Sequence, residues 1–65
     1  MIKVGYKTTD NTYFTHKECD NTGAANRAIF ELRDSKSEDV SIKYFYLEMQ
    51  TTETEWEKYA FVDPL

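Results

Sequence analysis

Residues 40–52, Val-Ser-Ile-Lys-Tyr-Phe-Tyr-Leu-Glu-Met-Gln-Thr-Thr, constrain the fold more than any other stretch. The run is dense in β-branched and aromatic residues and holds neither Gly nor Pro, so it reads as the longest strand of a small sheet. Its alternation is broken. Val40 and Ile42 fall in one phase; Phe45, Leu47 and Met49 fall in the other. A β-bulge near Tyr44 and Phe45 would bring both sets to one face. The opposite face then carries Tyr46, Glu48 and, at the bulge, Tyr44.

The remaining segments must cover that strand. Residues 2–9 alternate, with Ile2, Val4 and Tyr6 on one face and Lys3 and Lys7 on the other, the pattern of a half-buried strand. Asp10 and Asn11 suit a tight turn, and residues 12–19 then read as the second strand of a hairpin. A two-residue loop sets Tyr6 opposite Thr15 and Val4 opposite Lys17. A three-residue loop brings Phe14 to the face of Val4 and Tyr6, buries more apolar area, and is preferred.

Asp20, Asn21 or Thr22 can cap a helix over about residues 22–36. Ala25, Ala28, Ile29 and Leu32 follow the i, i+3, i+4, i+7 rule and form its apolar stripe. Arg27 and Glu31 are spaced for a surface ion pair. Phe30 lies off the stripe, as a shoulder of the core or an exposed ring. Residues 34–39 are a polar linker into the long strand.

A last strand over residues 56–62 pairs antiparallel with the long one. A turn at Thr52 and Glu53 sets Met49 against Trp56, Tyr46 against Tyr59 and Tyr44 against Phe61, at the cost of Glu48 beside Glu57. The competing reading takes residues 54–57 as a capping box and residues 55–62 as a short helix. The expected fold is α+β: one small domain over residues 1–65, ββαββ, with one helix packed on a mainly antiparallel four-stranded sheet.

So short a chain has a thin core. Cys19 is its only cysteine, so no internal disulfide can form. The compensating resource is aromatic: five Tyr, four Phe and one Trp, more than the core can enclose, so some rings belong on the surface. The charge is uneven. Residues 1–30 carry four Lys or Arg against three Asp or Glu, and residues 31–65 carry four against nine, for a net −4. An acidic surface repels phosphate backbones. No apolar run reaches the ~20 residues of a membrane span and no signal-peptide core is visible. With one free thiol, this points to the cytoplasm.

No catalytic constellation emerges. His16 and Cys19 point to opposite faces of one strand, and no third group orients a base. His16, Glu18 and Asp20 alternate along a strand but fall short of a zinc ligand set. With Gly5 and Gly23 the only glycines, there is no phosphate loop. No enzyme activity, cofactor or metal is expected.

The expected site is the aromatic, acidic surface of the two C-terminal strands: Tyr44, Tyr46, Glu48, Glu53, Glu55, Trp56, Glu57, Tyr59 and Phe61. Tyr, Trp and Phe are enriched at protein interfaces, and spaced carboxylates can imitate a phosphate backbone in a basic groove. The expected partner is therefore another protein, such as a nucleic-acid-handling enzyme with a basic groove; a second copy of the chain is a further candidate. The alternative is single-stranded nucleic acid stacked on the aromatic sheet. It ranks lower because no Lys or Arg lies between Tyr44 and Glu57. The plainer readings are rings that only cover a thin sheet and a solvated acidic turn that keeps an edge from aggregating. In size and composition the chain resembles small open reading frames of bacteriophages or mobile elements, which implies an inhibitor or modulator of a host nucleic-acid or defence protein.

Overall fold

A computed structural model describes residues 1–65. Four strands and one helix follow in the order β1 (Ile2–Thr8), β2 (Tyr13–Cys19), α1 (Thr22–Ser35), β3 (Ile42–Gln50) and β4 (Trp56–Val62). The strands form one antiparallel sheet in the order β2-β1-β3-β4. The N-terminal strand therefore sits in the middle, paired with the long strand β3.

The helix starts where the Asn21 side chain accepts a hydrogen bond from the Ala24 N–H at 2.8 Å, satisfying one of the free donors of the first turn. It ends where the Lys36 N–H reaches the Leu32 carbonyl at 3.1 Å, with Arg33 in the last turn complementing the helix dipole. Ala25, Ala28, Ile29 and Leu32 are buried, as the spacing predicts. They close on Ile2, Val4, Cys19, Ile42, Phe45 and Leu47. Burying each large apolar side chain contributes roughly 1.5–3 kcal/mol, and the two alanines leave room for the helix backbone to approach the sheet. Phe30 faces outward, 47 % exposed. Arg33 lies over its ring, 5.0 Å from the centroid. Arg27 and Glu31 form no ion pair; Lys58–Glu48 is the one that closes.

Three bulges reset the registers. In the first hairpin Tyr6 faces Phe14 and Val4 faces Lys17, with the shift between Val4 and Gly5. One pairing belongs to the three-residue loop and the other to the two-residue loop; His16, as the extra residue, lets both hold. The loop is the three-residue form. The Asn11 N–H bonds the Thr8 carbonyl at 3.0 Å and the Thr8 N–H bonds the Thr12 carbonyl at 2.9 Å. Asn11 takes the left-handed conformation, φ 67°, which its side chain tolerates. Tyr6 and Phe14 stack with centroids 5.2 Å apart.

Between β1 and β3, Lys7 pairs with Tyr44 and Thr8 with Ile42. The bulge is thus at Lys43, one residue ahead of the expected place. It brings Ile42 into phase with Phe45 and Leu47. Val40 is not part of this set: it precedes the strand and is 94 % exposed.

Residues 56–62 form a strand and not a short helix. Their register also departs from expectation. Gln50 faces Trp56, Met49 faces Glu57, Glu48 faces Lys58 and Tyr46 faces Phe61, with Tyr59 as the bulge residue. A loop one residue longer than a turn at Thr52 and Glu53, closed by the Thr51 N–H on the Glu55 carbonyl, sets this register and removes the Glu48–Glu57 repulsion. In its place stands a salt bridge, with Lys58 Nζ 3.1 Å from Glu48 Oε2.

Candidate functional site

The helix covers one face of the sheet. The other face is open, and the registers arrange it in three cross-sheet rows. The first row runs Glu18, Lys3, Glu48, Lys58. The second runs Thr15, Gly5, Tyr46, Phe61. The third runs Tyr13, Lys7, Tyr44. Successive rows are two residues apart along β1 and β3, ~6.8 Å, while on β2 and β4 the bulge residues His16 and Tyr59 intervene between the first two rows.

The middle row sets the smallest residue beside a large ring. Tyr46 lies over Gly5, and its hydroxyl donates across β1 to the Phe14 carbonyl at 3.3 Å. Tyr13 closes on Tyr46 edge to face, centroids 5.9 Å apart. Lys58 Nζ caps both rings, 4.4 Å from the Tyr13 centroid and 4.8 Å from that of Tyr46. Tyr46 is consequently only 2 % exposed. Burial, its first cause, pushes its phenol pKa upward.

The outer positions are accessible. Phe61 is 58 % exposed and meets Tyr44 edge to face at 5.2 Å. Tyr13 and Tyr44 hydroxyls stand 3.4 Å apart. That hydrogen bond, then partial desolvation, pushes the Tyr44 pKa up to about 12. The same bond, with help from Lys7, lowers that of Tyr13. Lys7 lies over both rings, at 4.9 and 5.8 Å. Lys3 lies over Trp56 at 4.0 Å.

The expected site residues are thus divided. Tyr44, Tyr46, Glu48, Trp56 and Phe61 share the open face, although Tyr46 is sealed beneath its neighbours and Glu48 is held by Lys58. Tyr59 stands in the bulge and is exposed. Glu57 faces Met49 on the helix side of the ladder. Glu53 and Glu55 are exposed in the β3–β4 loop. That loop is organised by Thr52, whose hydroxyl accepts from the Glu55 N–H at 3.1 Å, and by the Thr51 N–H, which bonds the Glu55 carbonyl at 2.9 Å.

Sequence reasoning missed Tyr13 and the three lysines. Lys3 and Lys7 are visible in the alternation of residues 2–9, but the stretch between Tyr44 and Glu57, which holds no Lys or Arg, gives no sign of them. The cations reach the rings from β1, which lies beside β3 in space. The face therefore has a cationic, aromatic character that the acidic composition conceals.

The surface has one open depression, lined by Met1, Gln50, Thr51, Thr52 and Glu53, and no three His, Cys, Asp or Glu side chains converge as metal ligands. No helix is long and apolar enough to cross a membrane. No family model matches the chain, and neither a curated protein nor a solved structure is similar to it.

Proposed function

We propose that the chain is a non-enzymatic protein-binding module that docks through the open face of its sheet, with the acidic β3–β4 hairpin at the rim. The observation that carries this reading is aromatic surface that nothing in the chain covers: Tyr13, Tyr44 and Phe61 meet solvent on a face opposite the helix. Rigid rings of this kind supply large contact area at low entropic cost and recur as interface anchors. In its concrete form the module inhibits or modulates a host nucleic-acid-handling or defence protein in the cytoplasm. The phage-like composition and the exposed Glu53 and Glu55, suited to a basic groove, support that form.

The test is affinity capture from a bacterial lysate with mass-spectrometric identification, repeated with two variants. Phe61→Ala on the open face should lose the partner. Phe30→Ala, an exposed ring on the helix, should keep it. Equal capture by both variants places the docking surface elsewhere.

The second reading is single-stranded nucleic acid, and the rings interleaved with Lys3, Lys7 and Lys58 favour it. Against it stand the net charge of −4 and the neutralisation of Lys58 by Glu48. Titration of an oligothymidine at low salt decides: absence of binding removes this reading.

A further inference from the structure

We infer that Tyr13 and Tyr44 are a site of oxidative modification, where a one-electron oxidant joins the two rings by a carbon–carbon bond and so staples β2 to β3. The inference is independent of the docking role above. Both residues pair with Lys7 of β1, one from each side, which puts them in the same row of the open face. Two strand spacings separate their backbones, ~9.6 Å. The side chains span that gap, and their hydroxyls stand 3.4 Å apart. The other three tyrosines lack this arrangement. Tyr6 stacks on Phe14 and packs against the helix-side core. Tyr46 touches Tyr13, but its hydroxyl is held by the Phe14 carbonyl and its ring is sealed from solvent. Tyr59 is exposed in its bulge and packs on no other ring.

The pair suits the chemistry. Tyr13 is 48 % exposed on an edge strand, so an oxidant reaches it. Its hydrogen bond with Tyr44, and then Lys7, lower its pKa, and a phenolate gives up an electron more readily than a neutral phenol. Hydrogen peroxide acting through a haem peroxidase removes one electron and one proton from each hydroxyl. The unpaired electron of each phenoxyl radical is shared with the ring carbons ortho to the oxygen. Those carbons adjoin the one that bears the hydroxyl, so on facing phenols they are the next atoms to meet as the rings turn. A bond forms between one ortho carbon of each ring. Each of these carbons then passes its proton to its own oxygen, which restores both phenols. The chain loses two hydrogen atoms in all, and the peroxide, taking up two electrons and two protons, leaves as two waters. The product is a covalent tie in a chain whose single cysteine is buried and free. Thiols do not reduce a carbon–carbon bond.

The experiment treats the intact chain with a haem peroxidase and hydrogen peroxide, dilute enough to keep copies apart. The monomer should lose the mass of two hydrogen atoms and gain the blue fluorescence of a tyrosine dimer, and both changes should survive dithiothreitol. Tryptic digestion should join residues 8–17 to residues 44–58. Tyr13→Phe or Tyr44→Phe should abolish the link, whereas Tyr46→Phe and Tyr59→Phe should keep it. The linked monomer should melt about 10 °C or more above the parent, because the tie closes a long loop of the unfolded chain. A link that survives Tyr44→Phe, or that forms mainly between copies, overturns the inference. So does a monomer of unchanged mass under conditions that couple a free tyrosine peptide. A linked monomer that melts with the parent overturns the stapling of β2 to β3.

Discussion

The Tyr46 ring lies across Gly5, and the hydroxyl at its far end is held by the Phe14 carbonyl on the next strand. A methyl group on Gly5 would stand 2.2 Å from that carbonyl oxygen and 2.6 Å from the Tyr46 hydroxyl. One side chain thereby ties β3 to β2 over the intervening β1. With Tyr13 and Lys58 above it, Tyr46 makes a small second core on the face away from the helix. A chain of 65 residues with no disulfide gains burial on both sides of its sheet in this way.

Gly5→Ala should therefore destabilise the fold by about 1–3 kcal/mol, the usual cost of forcing extra atoms into a packed site. Tyr46→Phe should cost less, about 1 kcal/mol, because it removes only the hydroxyl bond to Phe14. Urea unfolding measures both. A Gly5→Ala variant as stable as the parent would show that the ring is not seated over that position.

The helix side gives an independent test. Ile29→Ala or Leu32→Ala should cost roughly 2–5 kcal/mol, as buried large-to-Ala changes do. In so small a domain that approaches the whole stability. Phe30→Ala should stay within about 0.5 kcal/mol, since the ring projects from the far side of the helix. Thermal melts of the three variants side by side check the assignment; similar losses for Phe30 and Ile29 contradict it.

The helix was the most legible element because its apolar stripe and its cap are local. Asn21, Ala25, Ala28, Ile29 and Leu32 lie within a few turns of one another, and no other part of the chain has to be known to place them. The strands were legible as segments but not in register. Each bulge adds one residue, at His16, Lys43 or Tyr59, and these positions look ordinary in sequence. A single extra residue changes every partner beyond it, and one more residue in the β3–β4 loop, closed by Thr51 and Glu55, is likewise how Lys58 comes to stand beside Glu48 in place of Glu57. The site was half legible for the same reason. The aromatic members of β3 and β4 announce themselves, whereas Lys3, Lys7 and Tyr13 join them only because β1 lies between β2 and β3. Strand order is a property of the whole chain, and no local pattern reports it.

The phenols of Tyr13 and Tyr44 should titrate apart. Their mutual hydrogen bond lowers the Tyr13 pKa and raises that of Tyr44 to about 12, against an ordinary value of about 10. The folded state thus favours neutral Tyr44. Its contribution to stability is present below pH ~10 and is lost as the pH rises from there through ~12. Tyr13 works in the opposite direction, its ionised form being the one the fold favours. Tyrosinate absorbance should show an early and a late step. Tyr44→Phe should abolish the late step and move Tyr13 back toward the ordinary value. A titration unchanged by Tyr44→Phe means that the two hydroxyls do not interact.

The acidic hairpin and the aromatic face should affect binding through different rate constants. Replacing Glu53, Glu55 and Glu57 by Gln preserves size and hydrogen bonding while moving the net charge from −4 to −1. Glu53 and Glu55 lie in an exposed loop, and Glu57 stands on the helix side of β4 opposite Met49, so none is held in the open face. Charges at such a rim act mainly through long-range attraction. Against the captured partner, the triple variant should associate more slowly and with a weaker dependence on salt than the parent, while dissociation stays nearly the same. Phe61→Ala should do the reverse. Its ring is exposed and meets Tyr44 edge to face, so its loss leaves the fold intact but removes an anchor. Dissociation should quicken, with an affinity loss of about 2 kcal/mol or more. Unchanged association for the triple Gln variant would reduce the hairpin to a solvated turn and leave the open face as the sole docking surface.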